Sequence, residues 1–109
     1  MTFEEYQKES RKTALYPDAG STIVYPTLGL SGEAGEIADK VKKIIRDDAG
    51  NISEEKKEDL KKELGDVLWY VSQLASELGL EFEDIAQTNL DKLFSRMDRG
   101  VLGGSGDNR

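Results

Sequence analysis

Two pairs of acids, Glu33 with Glu36 and Glu63 with Asp66, are each spaced i, i+3 inside an apolar-periodic segment. That spacing puts both carboxylates of a pair on one helix face, about 60° apart. The accompanying apolar stripes are Leu30, Ala34, Ile37, Val41, Ile44 and Ile45 in the first segment, and Leu60, Leu64, Val67, Val71, Leu74 and Ala75 in the second. At an offset of 30 residues the stripes register, and the same offset brings Glu33 onto Glu63, Gly35 onto Gly65 and Glu36 onto Asp66. Apolar periodicity alone would not align acids and glycines, so the match reads as a weak internal repeat. Packed antiparallel across the short connection at 47–52, the two stripes would bring four carboxylates together beside the core. Partly buried like charges repel unless a cation sits among them. Hard oxygen ligands in that number suit Mg²⁺, with Mn²⁺ as a substitute. The chain holds 22 acids, and one E-x-x-E on a helix is ordinarily a solvated face. Two matched pairs carry the argument.

Opposite charge comes from a later segment. Its apolar stripe is Phe82, Ile85, Ala86, Leu90, Leu93 and Met97, with Asn89 and Arg96 inside it and Lys92 at its edge. Inward cations need partners. They either bridge to the four acids or clamp a phosphate, Lys92 as a point charge and Arg96 as a fork. Gln7 is a candidate to read a base edge or, as a buried amide, to bond backbone. Gly32, Gly35 and Gly65 lie inside helical patterns, where each costs roughly 1 kcal/mol relative to Ala. Beside Glu33, Glu36 and Asp66 they suit a place where backbone approaches metal or phosphate. Trp69 falls opposite the core stripe of its helix, which predicts an exposed position at a subunit interface.

The elements that must position these residues are helices. The pattern predicts one over 3 to about 15, ended by Pro17, then a loop carrying Pro17, Gly20 and Pro26. A second runs from about Thr27 to Arg46 and stops in the turn cluster DDAGN. Ser53 reads as the N-cap of a third, with Glu54 and Glu55 where the helix dipole favours acids. It continues to Ser76 or beyond, with Gly79 as its stop. A fourth spans about Phe82 to Arg99, closed by Gly100. This divides the chain into a helical domain over 1–100 and a Gly-rich tail over 101–109 that is mobile on its own.

Composition removes many functions. At 109 residues there is one domain and one modest core. Histidine is absent, which excludes His-based acid–base catalysis, Ser-His triads and the Glu-x-x-His sites of di-iron bundles. Cysteine is absent too, so there is no disulfide framework or thiolate metal site. A net charge of −7 argues against binding the nucleic-acid backbone. No apolar run approaches a membrane span, the start lacks a secretion signal, and a cytoplasmic setting is expected.

Three stretches, GLSGEAGEIADKVKK (29–43), KKELGDVLWYVSQLA (61–75) and NLDKLFSRMDRG (89–100), resemble the MazG-like nucleoside triphosphate pyrophosphohydrolases. These are relatives of the dimeric dUTPases and of phosphoribosyl-ATP pyrophosphohydrolase. The first two match the family's E-x-x-E and E-x-x-D at Glu33, Glu36, Glu63 and Asp66, and the third its N-x-x-K-L-x-x-R at Asn89, Lys92 and Arg96. The ending GSGDNR (104–109) is similar to small members as well. The resemblance implies an all-α, four-helix bundle completed by oligomerisation, as a homodimer or homotetramer. It implies hydrolysis of (d)NTPs between the α and β phosphates, to (d)NMP and pyrophosphate, as nucleotide-pool housecleaning. One of the four carboxylates, or Asp39, would take the proton from water. A dUTPase-like enzyme of narrow specificity, or a non-catalytic helical metal-binding or adaptor protein, is the alternative. The inward Lys92, Arg96 and Asn89 favour the enzyme, because a structural ion has no need of a cationic row.

Overall fold

The computed structural model describes residues 1–109 as four helices and no strand: α1 (Phe3–Arg11), α2 (Val24–Asp48), α3 (Glu54–Glu77) and α4 (Phe82–Asp98). Start and stop signals explain most boundaries. The Ser53 hydroxyl accepts from the Lys56 amide at 3.1 Å, capping α3. Gly79, at φ 70°, turns the chain out of α3 while the Leu80 amide reaches back to the Ala75 carbonyl at 2.8 Å. Two expected boundaries are corrected. α1 stops at Arg11 rather than near residue 15, and α2 begins at Val24 rather than Thr27. Pro26 falls in the first turn of α2, where a missing N–H breaks no helical bond. The Thr22 hydroxyl accepts from the Val24 amide at 3.0 Å and does the work of a cap.

α2 and α3 pack as an antiparallel hairpin, with α1 and α4 laid against α3. α2 touches neither α1 nor α4, so one chain alone makes an open bundle. The radius of gyration, 16.8 Å, compares with about 13 Å for a compact chain of this length. Apolar burial is correspondingly thin. Ile44 and Ala75 are buried from the expected stripes, whereas Ile45 is 66% and Leu64 59% exposed.

Polar bonds hold α1 to α3. Ser10 Oγ meets Ser72 Oγ at 3.1 Å and accepts from Gln73 Nε2 at 3.0 Å, all three residues being buried. Glu77, its side chain 1% exposed, gathers the loop between α1 and α2. It receives Arg11 Nη2 at 2.9 Å, the Tyr16 hydroxyl, and the amides of Gly20 at 2.9 Å and Thr22 at 3.3 Å. The folded-back loop also corrects the reading of Trp69. Its indole N–H donates to Thr13 Oγ1 at 2.8 Å, and its ring meets Tyr16 edge-on at 6.1 Å. Trp69 is half-buried within its own chain.

Candidate functional site

The antiparallel hairpin brings the acid pairs face to face. One carboxylate oxygen from each of Glu33, Glu63 and Asp66 lies within 4.8 Å of the others. Oxygens in the shell of a small octahedral cation stand about 3–4 Å apart, close to this spacing. Glu33 and Glu63 are half-buried and Asp66 is exposed. Glu36, expected with them, is exposed on α2 outside this close group, although near enough to act on the Glu33 carboxyl. Burial raises Glu33 above the usual carboxylate range, helped by the close approach of the Glu63 carboxyl and by the charges of Asp66, Glu63 and Glu36. Glu63 moves the other way, because the Lys40 ammonium stabilises its charged form. Two neighbouring carboxyls are thus driven apart, as expected when one of a close pair holds a proton and the other a charge.

Two features of this region have no place in the acid motifs. Lys40 Nζ bridges Glu63 Oε1 at 2.9 Å and Asp59 Oδ2 at 2.8 Å. It lies two helical turns past Glu33 on the same face, and that spacing was the signal for it. Gly29, one turn before Glu33, lies under the ring of Tyr70, one turn after Asp66. Tyr70 continues an aromatic row, 5.0 Å from Trp69 and 6.4 Å from Tyr25. The glycines singled out by pattern behave differently. A Cβ on Gly32, Gly35 or Gly65 would meet nothing within 4 Å. No backbone approaches them within this chain.

The cations of α4 are not bridged to the acids. Lys92 Nζ lies 3.1 Å from Asp107 Oδ1. Arg96, 3% exposed, sends Nη2 to the Asp107 carbonyl at 2.5 Å and lies 3.6 Å from the Asp107 carboxylate, with its buried Nε unpartnered. Asn89 is exposed and lines a shallow groove with Leu80, Asp84, Ile85, Thr88 and Lys92. The tail that presents Asp107 is a loop closed by its own last residue. Arg109 bonds the carbonyls of Leu102 at 3.0 Å, Gly103 at 3.1 Å and Gly106. Gln7 has backbone work instead of a free base-reading edge. Its Nε2 donates to Ser76 Oγ at 3.1 Å and the Leu80 carbonyl at 2.9 Å, and its Oε1 accepts from the Phe82 amide at 2.9 Å. No N–H remains for a base. Asp39 pairs with Lys42 and Lys43, which draw its pKa to about 2 and make it a weak proton acceptor.

No helix is long and apolar enough to cross a membrane. No solved structure matches this chain. It is 54% identical over 114 aligned residues to the Gene 37 protein of Mycobacterium phage L5, the alignment covering all of both chains. The MazG nucleotide pyrophosphohydrolase domain matches residues 25–101, which span both acid pairs and the cations of α4. The chain belongs to the MazG nucleotide pyrophosphohydrolase family.

Proposed function

We propose that this protein is a Mg²⁺-dependent nucleoside triphosphate pyrophosphohydrolase that cleaves (d)NTPs between the α and β phosphates and serves nucleotide-pool housecleaning. The observation that carries this reading is the meeting of Glu33, Glu63 and Asp66 across the α2–α3 hairpin. Their fit to a cation rests on one atom above all: Glu63 Oε2 is buried without any hydrogen-bond partner. Such an orphan is costly unless something binds it. Glu33, Glu63 and Asp66 would hold the ion, with Glu36 joining from its exposed position one turn along α2. Mg²⁺, or Mn²⁺ in its place, would neutralise triphosphate charge and acidify a bound water.

The chain's own groups then divide the remaining work. The carboxylates of the cluster are the nearest proton acceptors to a water held among them, since Asp39 is committed to two lysines. Lys92 and Arg96 would bind phosphate oxygens, and Asn89 would add a neutral contact from the same helix. The open bundle supports assembly into at least a dimer, which would cover Leu28, Ile45 and Leu64. The test is pyrophosphate release across a panel of dNTPs and NTPs with Mg²⁺ or Mn²⁺. Release that needs the metal and is lost in Glu33→Gln is the expected result. No release from any triphosphate with either ion would overturn the proposal.

A further inference from the structure

Lys40 is a residue the acid motifs do not include, and its placement is unusual. Its ammonium joins two carboxylates one turn apart on α3, Asp59 and Glu63, and all the while belongs to the helix that carries Glu33. The two oxygens of Glu63 are therefore inequivalent. Oε1 is held at 2.9 Å by Lys40 Nζ, whereas Oε2 is buried with no donor on it, and one oxygen of this carboxylate lies within 4.8 Å of carboxylate oxygens of Glu33 and Asp66. A carboxylate tied by one oxygen has lost most of its rotational freedom, and what it presents on the other side is fixed.

We infer that Lys40 is a positioning residue for the metal site: it holds Glu63 by Oε1 so that Oε2 is the atom offered to the cation. The inference rests on the divalent-metal reading of the Glu33, Glu63 and Asp66 cluster. Partners of this kind, one step behind a ligand, set its orientation and its affinity for metal. Asp59 takes the other side of the same ammonium at 2.8 Å and is not one of the three clustered carboxylates. Without Lys40, Asp59 and Glu63 would face each other as like charges one helical turn apart, and Glu63 would turn away. Coulomb repulsion considered alone gives the opposite expectation, because deleting a cation beside a metal site tightens metal binding. The sign of the effect therefore decides between the two.

The experiment measures Mn²⁺ binding to the full chain without nucleotide, by calorimetry and by the loss of the free-ion electron paramagnetic resonance signal. Lys40→Met should weaken Mn²⁺ binding by roughly 10- to 100-fold. Lys40→Arg, which keeps a cation on Glu63, should restore binding to within about threefold of wild type. Asp59→Asn breaks the other half of the bridge and controls for helix clamping. It should lower the melting temperature as Lys40→Met does, yet leave Mn²⁺ affinity within about threefold. Unchanged or tighter Mn²⁺ binding in Lys40→Met would overturn the inference, as would equal losses in Lys40→Met and Asp59→Asn. Failure of the wild-type chain to bind Mn²⁺ would instead remove the metal reading on which it rests.

Discussion

Gly29 on α2 and Tyr70 on α3 cross with no room for a methyl group: a Cβ on Gly29 would stand 2.1 Å from Tyr70 Cε1. The crossing lies one turn from Glu33 on one helix and one turn from Asp66 on the other, so it sets the helix separation where the carboxylates meet. Gly29→Ala must push the helices apart or displace the Tyr70 ring. Overpacking of this kind costs about 1–3 kcal/mol. A lower melting temperature together with weaker Mn²⁺ binding is expected, and wild-type values of both would show that the crossing does not govern the site. Gly32→Ala and Gly35→Ala supply the contrast. With nothing within 4 Å of either Cβ, each should stabilise α2 by up to about 1 kcal/mol.

Neutralising one acid of the cluster should separate activity from stability. Glu33→Gln and Asp66→Asn are expected to abolish pyrophosphate release while the helical circular dichroism is retained. Without metal, each variant should melt at or above the wild-type temperature, because one member of a repelling group is gone. Added Mg²⁺ should raise the melting temperature of wild type and leave that of the variants nearly unmoved. Full turnover in both variants would remove these residues from the mechanism.

Glu77 makes stability depend on acid. The Tyr16 hydroxyl, foremost, and then the Gly20 amide, Arg11 and the Thr22 amide outweigh burial and draw its carboxyl to about 2, from an ordinary 4.5. A carboxyl depressed on folding contributes stability that is complete above its unfolded value and is lost as the pH falls toward the folded one. The window is therefore from about 4.5 down to about 2. Glu77→Gln, which leaves Arg11 without its ion-pair partner, should cost on the order of 3 kcal/mol at pH 7. Denaturant titrations of both proteins should converge as the pH falls through that window. A gap that stays constant from pH 7 to pH 3 would rule out the Glu77 charge as its source.

Assembly can be read from mass and from the effect of single charges. A species well above 12.1 kDa is expected in sedimentation at micromolar concentration. Ile45→Glu or Leu64→Glu, each placing a charge on an exposed apolar surface, should shift it toward the monomer. Trp69→Ala should instead lower the melting temperature, by loss of about 2 kcal/mol of packing against Tyr16 and Thr13. A 12.1 kDa wild-type species would defeat the assembly.

What the sequence made legible follows from what is local. Helix type came from apolar period, the start of α3 from Ser53, the ends of α3 and α4 from Gly79 and Gly100, and the three clustered acids from i, i+3 spacing, Glu36 being the one of the four that stays outside. The misreadings share a cause in tertiary contacts that no periodicity encodes. An angular count places Trp69 opposite the core stripe, but cannot know that the loop after α1 folds back to Glu77 and covers it. The same count weighs Gly29 no more than Gly32, since only the Tyr70 ring on the facing helix makes Gly29 the crowded one. Lys40 reads as one of many surface lysines until Asp59 and Glu63 are seen across from it. Nor does any helical pattern weigh the Arg109 side chain, which reaches three carbonyls at once and draws the tail into a loop.

That loop bears directly on phosphate binding by α4. The Asp107 carboxylate stands 3.1 Å from Lys92 Nζ and 3.6 Å from Arg96 Nη2, an anion resting on two cations of the expected clamp. An incoming polyphosphate must share these cations with Asp107 or displace it. Lys92→Ala and Asp107→Asn should therefore act in opposite directions on substrate. Loss of the Lys92 contact, about 1.5–3 kcal/mol for a charge-assisted hydrogen bond, corresponds to a fall in kcat/KM of roughly 10- to 150-fold. Asp107→Asn frees the cations and should lower KM, its kcat staying within about twofold. Mn²⁺ affinity measured without nucleotide should be unchanged in both, because neither side chain reaches the acid cluster. Arg96→Ala is the harsher test, since Arg96 is buried and also bonds the Asp107 carbonyl, so its kinetics must be read beside its melting temperature. Wild-type kinetics in Lys92→Ala and Arg96→Ala would sink the clamp and leave the tail as the sole partner of these cations.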